Sequence, residues 1–246
     1  MPAPRFFIEQ PLSVDARVTL PPAVAHHART VLRLREGDAI VLFNGLGGQY
    51  RAQLARVAAV GPLQAEVTGF DPIEREASPR ITLIQATATS DKIDWVIEKA
   101  VEVGVARVIV AAAARSTLRL DEARGARRLL HWRELAIAAC CQCGRNRPAA
   151  ISIAKSLAEA FGEAQDADFK WILDPAASSG LPPAGPGAHR VCLAVGPEGG
   201  FDPGELQLAA QAGYAAVALG PRILRTETAG LVAAAAWLAL NGEYSR

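Results

Sequence analysis

The spacing of apolar positions changes once along this chain, and the change divides it. Through roughly the first seventy residues, apolar positions fall in short β-rich runs at Arg17–Leu20, Ala39–Phe43, Gln49–Val57 and Leu63–Phe70, with turn signals between them at Pro21-Pro22, Gly37-Asp38, Asn44-Gly45 and Gly61-Pro62. One short helix, about Pro22–Leu32, interrupts the strands. Many short strands with such turns predict a small barrel. Asp71-Pro72 through Ser78-Pro79, charged and bracketed by prolines, predicts a linker.

From Arg80 onward strand and helix patterns alternate. Strands are predicted at Ile81–Ala86, Arg107–Ala112, Ala150–Ile153, Phe169–Leu173, Val191–Val195 and Tyr214–Leu219, and helices at Asp91–Val103, Asp121–Cys143, Ser156–Gln165, Asp202–Ala212 and Thr226–Leu240. This alternation predicts a parallel sheet with helices on both faces. Local signals agree: Ser156-x-x-Glu159 is a capping box, Asp202-Pro203-x-Glu205 starts a helix with proline at its first position, and Gly104 and Gly213 stand where helices end. Ile93, Ile97, Ala100 and Val101 form one apolar stripe on the Asp91 helix. Ala229–Leu240 is apolar nearly all round, which predicts burial on more than one side and makes it the natural place for a two-fold interface.

Half of the 246 residues are apolar and the formal net charge is +1, which argues against disorder. That average conceals an uneven distribution. Between Arg115 and Arg147 lie eight arginines (115, 119, 124, 127, 128, 133, 145 and 147) against Asp121, Glu122 and Glu134, a local net of +5. Such a cluster is either a solvated helix face or a phosphate-binding surface. No segment has a signal peptide's charged start, apolar middle and small-residue cleavage site, and no apolar run is long enough to span a bilayer, so a cytoplasmic location is expected. The four cysteines do not form a disulfide framework. Cys140 and Cys143 have metal-ligand spacing, but no second pair follows and His26, His27, His131 and His189 match no metal spacing; helix packing is the better account, and no metal is expected.

The most informative segments are two loops near the C-terminus, Gly196-Pro197-Glu198-Gly199-Gly200-Phe201 and Leu219-Gly220-Pro221-Arg222-Ile223-Leu224-Arg225-Thr226-Glu227-Thr228-Ala229. Each follows a predicted buried strand and leads into a helix, which places both at the carboxyl edge of the sheet, where open α/β folds bind ligands. The Gly-Lys-Ser/Thr of a Walker A loop is absent, and the spacing of a dinucleotide fingerprint is wrong. Glu198 also argues against a pyrophosphate, because it would set like charge against like. A positively charged ligand without phosphates fits better, and a structural turn without a ligand is the remaining alternative.

These loops, VGPEGGF and LGPRILRTETA, resemble those of the ribosomal small subunit methyltransferase E family, within the SPOUT (trefoil-knot) class of RNA methyltransferases. The resemblance extends to Cys140-Cys141-Gln142-Cys143-Gly144-Arg145-Asn146-Arg147, to Pro4-Arg5-Phe6-Phe7 and to Arg29-Thr30-Val31-Leu32-Arg33, so it covers nearly the whole chain, with weak stretches at about 48–78 and 155–190. It implies a PUA-like, RNA-binding β-barrel at 1–72 and a knotted SPOUT α/β methyltransferase domain at 79–246, assembled as a homodimer. The implied reaction is methylation of N3 of a uridine in 16S ribosomal RNA by S-adenosylmethionine. A methyltransferase of this fold acting at another RNA position, and a non-catalytic RNA-binding assembly factor, are the competing expectations.

The resemblance further implies a bent cofactor held by three loops. Backbone groups of Leu173, Gly196, Leu219, Ile223 and Leu224 would contact adenine and ribose, with Pro197, Glu198, Gly199, Gly220 and Arg225 in the same loops and Thr226 and Ala229 closing the pocket. Arg225 is the candidate for stabilising a uracil anion or for binding a target phosphate. Glu198 is the candidate general base, or alternatively orders its own loop. For RNA, Gln142, Arg145 and Arg147 suit backbone phosphates, as part of a basic helix end that includes Asn146. Arg5, Arg29 and Arg33 would grip a neighbouring stem, although Arg29 and Arg33 are equally readable as a plain surface helix. Lys92 and Arg115, at the carboxyl ends of the first two strands of the larger domain, would face the cleft. Phe6 and Phe7 would stack on bases or fill the barrel core.

Overall fold

A computed structural model describes residues 3–55, 61–116, 122–182 and 190–244. Arg119, Asp121 and His189 lie outside the described residues, as does the predicted end of the Gln49–Val57 strand. The chain divides into two compact units, Met1–Glu76 with Cys140–Pro148, and Ala77–Ala139 with Ala149–Arg246.

The first unit contains β1 (Arg5–Phe7), β2 (Arg17–Thr19), α1 (Pro22–His26), β3 (Ala39–Phe43), β4 (Gln49–Leu54) and β5 (Gln64–Asp71). Its strands form one curled five-stranded sheet in the order β1-β3-β4-β5-β2, parallel at β1–β3 and antiparallel elsewhere. Strict alternation sends Ala65 and Val67 inward and Glu66, Thr68 and Phe70 outward along β5. Ile8, Leu20, Ile40, Leu42 and Leu54 fill the core. Phe6 joins them, and Phe7 packs edge-on against Phe43 with ring centroids 5.5 Å apart, so both phenylalanines serve packing. β1, at three residues, is too short for periodicity to reveal. The predicted Pro22–Leu32 helix is α-helical only to His26; His27–Val31 then widens, and Leu32 N bonds His27 O five residues back at 3.0 Å.

The second unit contains β6 (Arg80–Ala86), α2 (Ser90–Val103), β7 (Arg107–Ala111), α3 (Glu122–Cys143, whose last residues belong to the first unit), β8 (Ala150–Ala154), α4 (Leu157–Glu163), β9 (Phe169–Leu173), β10 (Arg190–Val195), α5 (Pro203–Gln211), β11 (Ala215–Val217) and α6 (Thr226–Leu240). The strands form a six-stranded sheet in the order β11-β9-β10-β6-β7-β8, parallel throughout. β6 and β10 lie at its centre and are apolar on both faces, as helices on both sides require. Strand order reverses beside β6, and such a switch point leaves a crevice at the carboxyl edge.

Local sequence explains the helix ends. Asp202 and Glu205 complete a reciprocal capping box at α5, Glu205 N donating to Asp202 Oδ1 at 2.8 Å and Asp202 N to Glu205 Oε2 at 2.9 Å. At α4 the box is half made: Ser156 accepts from Glu159 N, while the Glu159 carboxylate accepts from Lys155 N instead of Ser156 N. α2 buries its predicted stripe together with Val96, and ends on Gly104 at φ +106°. α6 lies close on β6 and β10: a Cβ at Gly230 would come within 2.8 Å of Leu83 Cδ1 and 3.0 Å of Val195 Cγ2.

Candidate active site

The loops that follow β9, β10 and β11 enclose a cavity of about 540 Å³ in the second unit. Every residue proposed from sequence for the cofactor lines it: Leu173 from the first loop; Gly196, Pro197, Glu198 and Gly199 from the second; and Leu219, Gly220, Ile223, Leu224, Arg225, Thr226 and Ala229 from the third. Lys92, from the first turn of α2, forms part of the same wall.

Buried hydrogen bonds hold the loops together. The Thr226 hydroxyl donates to Gly196 O and accepts from Gln85 Nε2 at 2.9 Å, which joins the start of α6 to the loop after β10 and to the end of β6. Gly196 is tightly packed where the loop turns back, and a Cβ there would stand 3.2 Å from both Phe201 N and the Phe201 ring, so Phe201 would have to shift. At Gly199 the neighbour is Arg115, whose Nη1 donates to Gly199 O at 2.8 Å and whose Cβ and Cδ would each lie 3.3 Å from an added Cβ. Arg115 therefore braces the glycine loop, a task that phosphate binding did not anticipate.

The mouth of the cavity carries a charge cluster. Lys92 Nζ donates to Glu198 Oε1 at 2.9 Å and lies 3.5 Å from Glu227 Oε2, and Arg225 Nη1 is 4.0 Å from Glu227 Oε1. The hydrogen bond from Lys92 holds the Glu198 carboxyl below the usual carboxylate range, and the same bond raises Lys92. A carboxylate so stabilised is a weaker proton acceptor, which favours loop ordering over general base for Glu198. Arg225 remains open to solvent, its side chain 83% exposed.

The proposed RNA residues fall into two groups. Arg29 and Arg33 are exposed on the widened helical turn and just after it, and Gln142 is exposed near the end of α3. Arg145, by contrast, is 3% exposed and pairs with Glu76 through Nε and Nη2, so its guanidinium is not presented to a phosphate. Arg5 donates to Asn146 Oδ1 at 2.7 Å, to Arg145 O at 3.1 Å and to Gln49, and lies 5.0 Å from the Phe43 ring centroid. Burial lowers its pKa, and its contacts make it a packing residue of the first unit. Arg147 is partly committed, donating to Leu46 O at 2.9 Å and pairing with Glu74 at 3.3 Å. Cys140 is buried, its thiol pushed up to about 12 by desolvation and donating to Arg147 O at 3.7 Å. Among the described residues no His, Cys, Asp and Glu group is arranged to hold a metal, and no helix is long and apolar enough to cross a membrane.

Residues 75–238 match the RNA methyltransferase domain family, and residues 20–59 match the RNA methyltransferase PUA domain. The chain is 34% identical to the ribosomal RNA small subunit methyltransferase E of Mycobacterium bovis, over 84% of its own length and 80% of the relative's. The chain belongs to the ribosomal small subunit methyltransferase E family. Among solved structures, the methyltransferase E of Neisseria gonorrhoeae bound to S-adenosyl methionine aligns with a TM-score of 0.88 at 35% identity, covering 97% of this chain and 98% of that one. A Legionella pneumophila protein in complex with SAM aligns with a TM-score of 0.90 at 30% identity, again over 97% and 98%.

In this member of the family, Gln85, Asp174 and Arg222 reach the site without having been singled out from sequence. Gln85 had a signal, being a buried polar residue near the end of an otherwise apolar strand. Asp174 and Arg222 had none beyond lying in or beside the two outer loops.

Proposed function

We propose that this protein methylates N3 of a specific uridine in 16S ribosomal RNA of the small subunit, using S-adenosylmethionine, in the cytoplasm and as a homodimer of trefoil-knotted domains. The observation that carries the reading is the convergence of three loops on one cavity, with relatives of the same fold bound to S-adenosylmethionine. The donor set suits that cofactor. About 540 Å³ lies within the roughly 300–1,000 Å³ of small-molecule sites. Gly196 and Gly220 bring backbone to the cavity wall, and the Glu198 carboxylate in the same wall suits a cationic sulfonium. Leu173, Gly196, Leu219 and Leu224 would hold adenine and ribose, and Thr226, fixed through Gln85, keeps the loops closed. When bound, S-adenosylmethionine supplies an activated methyl group.

Uridine N3 becomes a good nucleophile only as its proton passes to solvent water, since the charged Arg225 and Lys92 cannot accept it. Arg225, exposed at the mouth, would stabilise the uracil anion, with Lys92 behind it. Glu198 would orient Lys92 and order its own loop. Arg29 and Arg33, exposed on the first unit, would bind RNA phosphates. α6 favours the dimer by exposing Val232, Ala239 and Leu240 along one side, with Val232 41% and Leu240 55% exposed.

The deciding experiment treats unmodified small subunits with the protein and S-adenosylmethionine and analyses their nucleosides by mass spectrometry. 3-Methyluridine at a single site is expected. A ribose methyl mark, or unmodified uridine despite cofactor binding, would overturn the assignment.

A further inference from the structure

Four arginines lie between Ala123 and Arg133 on α3, at 124, 127, 128 and 133, and that stretch contains no acid. Opposite charges three or four residues apart steady a helix surface, whereas like charges at that spacing repel. Arg124 and Arg128 are four apart, as are Arg127 and His131, so these four share one flank of the helix, and Arg133 lies on the other. Arg124 and Arg127 are exposed, and the Arg128 and His131 side chains are 36% and 44% exposed. The arginines to either side of this stretch are spent within the protein: Arg115 on Gly199 O, Arg145 on Glu76, and Arg147 on Leu46 O and Glu74.

The basic flank is turned toward the side of the sheet that holds the cofactor cavity. Asp94 of α2 accepts a hydrogen bond from Trp132 Nε1 at 2.8 Å and lies 3.0 Å from His131 Nε2 and 4.0 Å from Arg128 Nη1, so this side of α3 meets α2. β6, the strand that leads into α2, stands between β7 and β10, and Lys92 in the first turn of α2 walls the cavity. Helices that follow neighbouring strands of a parallel sheet run in the same direction, and the Asp94 contacts set the fifth residue of α2 level with the tenth and eleventh of α3. At about 1.5 Å per residue, α3 starts roughly 8 Å further beyond the carboxyl edge than α2 does. Arg124 and Arg127 therefore stand past the turn that carries Lys92, beside the mouth of the cavity.

We infer that this flank of α3 holds the phosphate backbone of the ribosomal RNA strand beside the methylated nucleotide, an inference that rests on the RNA substrate proposed above. Guanidinium groups match phosphate oxygens in pairs, and a polyanion relieves the repulsion within a run of bases that no acid interrupts. Asp94 anchors the inner part of the flank at His131 and Arg128, which leaves Arg124 and Arg127 to meet the strand nearest the mouth. Contacts of this kind position a nucleic acid without reading its bases. Affinity for the substrate then resides in α3 and methyl transfer in the loops after β9, β10 and β11, so the two can be separated by substitution.

The test titrates fluorescently labelled protein with unmodified small subunits, read by anisotropy at salt concentrations from about 50 to 200 mM. It compares wild type with the double variant Arg124→Gln/Arg127→Gln, and with Arg133→Gln on the opposite flank. The double variant is expected to bind about tenfold more weakly, and its plot of log affinity against log salt should be shallower by about 1.5. Its KM for small subunits should rise with kcat held to within about twofold, while its melting temperature and its calorimetric affinity for S-adenosylmethionine match wild type. Arg133→Gln should leave both binding and slope unchanged. A double variant with the wild-type slope, an equal effect per charge from Arg133→Gln, or a loss in kcat with KM unchanged would overturn the inference. So would a double variant that falls to a monomer while wild type is a dimer, which would assign the flank to subunit contact. A wild type that transfers no methyl group to small subunits strikes the proposed function instead.

Discussion

At the scale of single residues, charge was easy to find in the sequence and its assignment was not. Arg145 and Arg225 both sit in arginine-bearing motifs, yet one is buried against a carboxylate 69 positions away and the other stands in solvent. Their substitutions should therefore differ in kind. Arg145→Glu puts a carboxylate beside Glu76 in a buried setting and should cost about 3–5 kcal/mol, read as a lowered unfolding transition; unchanged stability with weakened RNA binding would restore the phosphate role. Arg225→Ala should leave the melting temperature within a degree or so and cut methyl transfer by about a hundredfold or more; near-normal turnover would remove Arg225 from the mechanism. Glu198 makes a pH prediction. Its folded-state pKa is depressed, so its pairing with Lys92 is in place above the ordinary carboxylate range and is lost only as pH falls through the lowered value. Cofactor affinity by calorimetry should stay level from neutral pH down through the ordinary carboxylate range and fall only below it, and the fall should be absent in Glu198→Gln. An equal fall in that variant would assign the effect to another acid.

At the scale of elements, capping boxes, glycine stops and apolar runs located the strands and helices of the second unit closely, because each is a local signal. Phe169–Leu173 and Thr226–Leu240 have the predicted bounds. The first unit was harder. β1 carries no periodicity in its three residues, and it becomes a strand by pairing with β3. Likewise, the sequence offers no reason for the helix after His26 to widen. Helix α6 shows what apolar character alone leaves open: one side packs so closely on β6 and β10 that a Cβ at position 230 would have to push the Leu83 and Val195 side chains aside. Gly230→Val should overpack that contact and cost about 1–3 kcal/mol, seen as a shift in thermal unfolding. A variant as stable as wild type would mean that Leu83 and Val195 move aside freely.

At the scale of the whole molecule, the opposite side of α6 supplies the assembly prediction. Val232→Asp places a charge on the exposed apolar stripe without touching the core. It should convert the proposed dimer to a monomer by light scattering with secondary structure retained, and a variant that stays dimeric would place the two-fold contact elsewhere. The segment Cys140–Pro148 also has to be understood at this scale. Its sequence position suggests the larger domain, but its hydrogen bonds to Glu74, Glu76 and Ile73 O group it with the first unit.

The sequence by itself determined the order of strands and helices in the second unit, the two loops after its late strands and the family to which they point, because turns, caps and close backbone approach depend on residues that are neighbours in the chain. Only the tertiary structure decided that Lys92 pairs with Glu198, that Arg115 braces Gly199 and that Arg145 is buried. Each of these depends on groups brought together across long stretches of chain, and the spacing of residues along a sequence carries no record of which charge will find which partner.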